Sequence, residues 1–290
     1  MKLVRNKRIW PFLIPALFGC GLVPSVSTPI PRTEPVVQAE EEGANPSTGP
    51  WSFTHTSGTD TYRVSRSAII EGRQDSTTHQ ESSNNFTQET VKLETIDGSL
   101  KFTAVIDTFT TTSPGLIGTA GPAELPLQLS GEVSADGLII GGLSLIDSCQ
   151  PMISMLATDL QNLLTRFPAQ LSSGMSWTDS LDTVGCQAAI STKAHSASIY
   201  TVSGEIIHEG QPMLVVQRSD TIQAHGEGAQ GQHRILLAGS GNGKATYYLD
   251  TTAGKVIRLI TEQKLLITIT ASGQLHQFTQ SSRQEFQVVR

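Results

Sequence analysis

From Trp51 onward, hydrophobic and polar residues alternate along most of the chain. In "VKLET", Val91 and Leu93 fall on one side of an extended backbone, Lys92 and Glu94 on the other; "LKFTAVID" and "LLITITA" repeat the pattern. Period two, with abundant Thr, Val and Ile, predicts β-strands with one buried face. Asp97-Gly98, Asp136-Gly137, Asn242-Gly243 and Ala253-Gly254 punctuate these runs, and the Asp-Gly and Asn-Gly pairs suit tight hairpins between antiparallel strands. One segment has a different period. In Pro151 to Phe167, "PMISMLATDLQNLLTRF", apolar residues recur at helical spacing, with Asp159, Gln161 and Asn162 between them. This predicts an amphipathic helix of about four turns, stopped by Pro168.

The chain also echoes itself. "YRVSRSAIIEG" (Tyr62 to Gly72) and "YTVSGEIIHEG" (Tyr200 to Gly210) agree at Tyr, Val, Ser, one Ile and the closing Glu-Gly. Two explanations stand: a domain-scale duplication, or strand-and-turn composition reached twice. Under the first, two similar sheet units, residues 51–147 and 198–290, flank an insertion of residues 148–197 that holds the helix. The expected fold is therefore mainly β and antiparallel, with the central amphipathic helix covering the apolar face of the sheet. This arrangement resembles the half-open barrel with helical lid of bacterial lipoprotein-carrier and related envelope lipoproteins, which implies an open or half-barrel. "FPAQLSSGMSW" (Phe167 to Trp177) resembles the Phe-Pro then Gly-x-x-Trp punctuation of exported bacterial β-proteins.

The N-terminus changes the picture of where such a domain works. Lys2, Arg5, Lys7 and Arg8 precede an uncharged run of 11 residues, Ile9 to Gly19. A bilayer needs roughly 20 apolar residues, and Pro11 and Pro15 argue against a long helix. Residues 1–19 thus read as a secretory signal. Leu17-Phe18-Gly19-Cys20 resembles the lipobox of bacterial lipoproteins, although Phe18 departs from the usual small or β-branched residue. The resemblance implies cleavage before Cys20, a diacylglycerol on its thiol and an acylated amino group. The other reading is an ordinary signal peptide cut nearby, leaving Cys20 a free thiol. Buried acyl chains contribute about 0.8 kcal/mol per methylene, enough for two or three chains to hold the protein on a membrane. No later window is apolar enough to span. Residues 20–50, rich in Pro, Glu, Thr and Ser, cannot bury a core and read as an extended tether. The expected location is the extracytoplasmic side of a bacterial membrane, within the cell envelope.

Charge narrows the partners. Without residues 1–19, 16 Lys and Arg remain against 26 Asp and Glu, so a formal charge of −6 becomes −10. Nucleic-acid binding depends largely on neutralising phosphates, so a body this acidic, with no basic patch, is not built for it. With Cys20 acylated, Cys149 and Cys186 are left, as one disulfide in an oxidising compartment or as two free thiols.

Candidate chemistry is sparse. "AGSGNGKA" (Ala238 to Ala245) lacks the Gly and the Ser or Thr that a Walker loop requires, and reads instead as a hairpin around Asn242-Gly243. There is no Gly-x-Ser-x-Gly elbow and no His-Glu-x-x-His; no catalytic residue and no cofactor is predicted. His225 and His233 flank a Gly-rich stretch, near Glu227 and His208, and are the candidate ligands for a zinc or copper ion if they meet across a hairpin. Asp179 and Asp182 read as solvated. Met152, Met155, Leu156 and Leu163 form the apolar helix face, either as core or as a cover over an apolar ligand, a role to which methionine adapts well. The favoured reading is a non-enzymatic envelope lipoprotein that binds an apolar or lipid ligand, or an envelope protein, through a sheet covered by a helix. The alternatives are a structural or assembly lipoprotein without ligand, and a metal-dependent enzyme.

Overall fold

A computed structural model of the chain describes residues 49–74, 77–112, 125–134, 137–140, 150–187, 190–230 and 233–289. The strands are β1 (Gly58–Gln74), β2 (Thr77–Ile96), β3 (Ser99–Thr111), β4 (Leu127–Ser134) and β5 (Gly137–Ile140), followed by helix α1 (Pro151–Leu163). After it come β6 (Ser176–Gln187), β7 (Ile190–His208), β8 (Gln211–Gln230), β9 (His233–Asp250), β10 (Lys255–Ala271) and β11 (Gln274–Val288). All the strands join one 11-stranded antiparallel sheet in the order β5-β4-β3-β2-β1-β11-β10-β9-β8-β7-β6. The segments on either side of α1 thus belong to a single sheet, sealed where β1 pairs β11 from Tyr62↔Val288 to Gly72↔Phe278. The fold is the expected mainly-β, open half-barrel.

Among the described residues the sheet ends at β5 and β6, and α1 follows β5 and precedes β6 in the chain. It packs against β6 on one side and against β3, β4 and β5 on the other, filling the opening a closed barrel would not have. Leu156, Leu160 and Leu163 are almost fully buried against the concave face, among Val64, Ile106 and Phe286. Each such side chain contributes about 1.5–3 kcal/mol on burial. The helix is not long and apolar enough to cross a membrane.

The helix is shorter than its apolar pattern predicts: 13 residues, ending at Leu163. Thr165 accounts for the early stop. Its hydroxyl donates to the carbonyls of Gln161 (3.1 Å) and Asn162 (2.9 Å), taking up acceptors that the final turn leaves without partners. Beyond it, Phe167 stands edge-on to Phe53 (5.3 Å) and Tyr247 (5.4 Å). Trp177 stacks on Tyr200 with ring centroids 5.0 Å apart. Trp51 and Leu171 exchange two 2.8 Å backbone hydrogen bonds. The "FPAQLSSGMSW" stretch therefore builds the aromatic seal at one end of the half-barrel.

Asp97-Gly98 makes the β2–β3 hairpin, with positive φ at both residues (52° and 82°). Asn242-Gly243 is no turn. It lies in the middle of β9, paired with Thr221 and Asp220 on one side and with Lys264 and Gln263 on the other. Gly239, Gly241 and Gly243 fall at alternate positions, on the side of β9 that also carries Ala245 and Tyr247. Glycine inside a strand marks a sharp bend or a close backbone approach. A Cβ at Gly241 would sit 2.0 Å from the Lys264 carbonyl oxygen, and one at Gly243 would sit 3.1 Å from the Asp220 carboxylate. The glycines that resemble a hairpin in sequence allow a strand of 18 residues to curl, and leave room on its inner face. Glu71-Gly72 and Glu209-Gly210 also differ in setting: the first lies within β1, the second forms the β7–β8 turn.

Gly241→Ala is expected to cost about 2 kcal/mol, because β9 or β10 must shift to admit the methyl group. Gly185→Ala, whose Cβ would meet nothing closer than 3.4 Å, is expected to stay within about 0.5 kcal/mol. Urea unfolding of the two variants measures the difference.

Candidate functional site: a trough beneath the helix

A belt of polar and charged side chains crosses the concave face below the apolar core. On β1, Tyr62, Val64 and Arg66 point inward in alternation; on β8, Val216, Arg218 and Asp220 do the same. Both arginines enter the interior next to an inward valine, Val64 or Val216, and both need partners there.

Arg66 finds them on two elements, β2 and α1. Its Nη1 donates to Thr87 Oγ1 (2.8 Å) and its Nη2 to Glu89 Oε1 (2.7 Å), both on β2. The same Nη2 donates to Asp159 Oδ2 on α1. Gln284 on β11 donates to the other Asp159 oxygen at 2.5 Å. Glu89 and Asp159 are 0% and 1% exposed. One guanidinium thus faces two buried carboxylates, and burial pushes the Asp159 carboxyl well above the usual aspartate range; the nearby Glu89 adds to the effect and Arg66 opposes it. Arg66 Nε and Glu89 Oε2 have no hydrogen-bond partner among the described residues.

Arg218 is satisfied more completely. Its Nε donates to Asp220 at 3.0 Å, and its Nη1 donates to Asn162 Oδ1 (3.1 Å) and to the Tyr247 hydroxyl (2.7 Å). Ser198 donates to the other Asp220 oxygen at 2.7 Å. Asp159, Asn162 and Thr165 recur every three residues and so share one face of the helix end, meeting Arg66, Arg218 and Tyr247 in turn. Asp159 and Asn162, which fall between the apolar positions of the helix pattern, are thus buried. The sheet beneath is itself polar at that level, so the helix buries those residues.

Below this belt lies a cavity of about 1790 Å³ between α1 and the concave sheet. Hydroxyl and amide groups line its middle, among them Ser282, Gln263 and Ser198. At its apolar end it is lined by Leu237, Leu265 and Ile267, which belong to a second apolar cluster with Ile269 and Phe278.

The predicted residues separate into groups. Leu156 and Leu163 are core residues, whereas Met152 and Met155 are half-buried and line the cavity. Asp179 and Asp182 are both exposed, the latter paired with His195 at 2.7 Å. His225 lies opposite Ala238 and His233 opposite Gln230, five ladder positions or about 17 Å apart, so the structure does not bring them together. Glu227 pairs with Arg234, and His208 packs near Tyr248. Among the described residues no group of three His, Cys, Asp or Glu is placed to hold a metal ion. Cys186, on β6, is disulfide-bonded and lines the cavity; Cys20 and Cys149 lie outside the described residues.

Sequence reasoning missed Arg66, Glu89, Arg218, Asp220 and Gln284. The signal was present in part: "VVQRSD" places Arg218 and Asp220 in phase with Leu214 and Val216, a phase that marks the inner face.

Comparison with protein-family models and with curated proteins finds no match. Among solved structures, the chain is similar to a mutant porin of Rh. blastica, at a TM-score of 0.24 and 9% identity, over 79% of this chain and 100% of the porin. It is also similar to Pseudomonas aeruginosa OccK2 (OpdF), at a TM-score of 0.18 and 11% identity, over 74% of this chain and 66% of that one. Likeness at these scores carries no weight for fold or function. What the geometry itself defines is an open β half-barrel, plugged by a helix, with a partly polar trough.

Between the ordinary aspartate value near 3.8 and the raised native value of Asp159, the folded chain keeps a proton that the unfolded chain has lost. Folding stability therefore falls as pH rises through that window. Asp159→Asn, which resembles the protonated acid, is expected to flatten this decline above about pH 4. Urea midpoints of both proteins across that range test it.

Proposed function

We propose that the protein is an exported cell-envelope lipoprotein, held to the membrane by acyl chains on Cys20, whose half-barrel carries an amphiphilic ligand in the trough beneath α1. The observation that carries the reading is the trough itself. Its volume of about 1790 Å³ exceeds the roughly 300–1,000 Å³ of drug-sized ligand sites, and its lining changes from polar in the middle to apolar at one end. A small metabolite would leave most of that space empty. A molecule with a polar head and hydrocarbon tails matches both the size and the gradient. Met152 and Met155 overhang the cavity from the helix, and unbranched, polarisable side chains adapt to tails of varied shape.

Tether and body fit together on this reading. A Pro- and Glu-rich segment of about 30 residues, extended at roughly 3.1 Å per residue, lets the half-barrel work tens of ångströms from the bilayer. The anchor and the ligand are separate claims with separate tests. Cys20→Ser is expected to move the protein from the membrane fraction to the soluble fraction with no change in the fold; retention on membranes without detectable acylation counts against the anchor. Organic extraction of protein purified from its native membrane, followed by mass spectrometry, is expected to yield near-stoichiometric lipid. A combined Met152→Gln, Met155→Gln variant should lose most of that lipid while keeping its thermal midpoint within a few degrees. Protein that carries no lipid in either form would exclude the ligand.

A further inference from the structure

We infer that the trough selects an amphiphile whose head group is uncharged and rich in hydroxyl groups, a glycosyl diacylglycerol in chemical class. The inference rests on the trough being a ligand site and states what that site prefers. Four cationic residues border the cavity: Arg66, Arg166, Arg218 and Arg283. Each is already engaged. Arg66 is held by Glu89 and Asp159, Arg218 by Asp220, and Arg283 by Glu262 and Glu285; Arg166, at the exposed rim, also has a partner. The buried Arg218 and the largely buried Arg66 thus meet three buried carboxyl groups, Glu89, Asp159 and Asp220, so the interior holds no surplus positive charge.

An anionic head group entering this space would give up its hydration beside carboxylates, with no cation left to receive it. A cationic head group finds no open carboxylate at the inner wall, because Asp159 and Asp220 are each already paired with an arginine and a second donor, and Asp179, the third acid of the lining, is exposed to water. Hydroxyl groups meet no such penalty. The middle of the trough offers Ser83, Ser198, Gln263 and Ser282, which supply donors and acceptors without formal charge. These residues occupy one transverse row, where Ser282 faces Gln263, Gln263 faces Gly243, and Asp220 lies between Gly243 and Ser198. Gly243 lacks a side chain at the centre of that row, which leaves space for a bulky polar ring. The tails then run toward Leu237 and Ile267. From Thr261 to Ile269, β10 rises about 27 Å, a span that extends from the polar belt to the apolar end.

The test uses full-length protein repurified in mild detergent after incubation with vesicles doped, one at a time, with three diacyl lipids of identical chains. These are a glucosyl diacylglycerol, phosphatidylglycerol and a diacyl trimethylammonium lipid. Lipid retained per mole of protein is expected to favour the glucosyl lipid by at least about tenfold over each charged one. A Gln263→Lys variant, which adds an unmatched cation to the trough without breaking a buried ion pair, should shift the ratio about tenfold toward phosphatidylglycerol. Retention of all three lipids to the same extent, or preference for a charged one, overturns the head-group inference and leaves the ligand site standing. An unshifted ratio in Gln263→Lys places the head group elsewhere and also overturns it. Retention of none of the three removes the ligand site, and the inference with it.

Discussion

Arg66 and Arg218 are buried on the inner face of a sheet that cannot satisfy them alone. β2 supplies Thr87 and Glu89 to the first, and β8 supplies Asp220 to the second. Tyr247 on β9 supplies another acceptor to Arg218, and the helix completes both sets through Asp159 and Asn162. Losing one member of such a buried network costs about 3–5 kcal/mol, because the charge left behind has no partner. Apolar contact would allow α1 to slide by a turn among leucines; two guanidiniums at fixed points on the sheet do not. The network therefore decides where the helix sits, and the helix decides how much of the concave face becomes core and how much remains trough.

The division along the concave face follows from this. On the near side, Leu156, Leu160 and Leu163 pack into a dry core with Val64, Ile106 and Phe286. On the far side the helix no longer reaches the sheet, and β9 replaces side chains with Gly239, Gly241 and Gly243. A protein interior is normally filled to the density of an organic crystal. A cavity of about 1790 Å³ departs from that density; its apolar end, where Leu237, Leu265 and Ile267 line it, gives hydrocarbon chains contacts that water there does not satisfy.

The same polar belt that positions the helix also sets the charge of the trough. Each cation is matched within the fold, so the belt acts as structure and offers little as an ionic receptor. The protonation of Asp159 is part of that balance, since a single guanidinium between two carboxylates leaves one negative charge that burial disfavours.

Much of the architecture was legible in the order of residues, because it depends on local periodicity. Alternation marked the strands, helical spacing marked α1 with Leu156 and Leu163 on its buried side, and Asp97-Gly98 marked a true hairpin. What failed depended on partners distant in the chain. Asn242-Gly243 has the chemistry of a turn, yet β8 and β10 pair with it on both sides and hold it extended. Asp159 falls on what periodicity calls the polar face, yet Arg66, 93 residues away, draws it inward. His225 and His233 lie close in sequence, but antiparallel register separates them along the ladder. By itself the sequence determined a β-rich body with one helix and a basic, apolar start that resembles a lipoprotein signal. Only the tertiary structure decided that the sheet is single, that its interior charges are paired, and that a trough remains, because each of these depends on which strands meet and at what register.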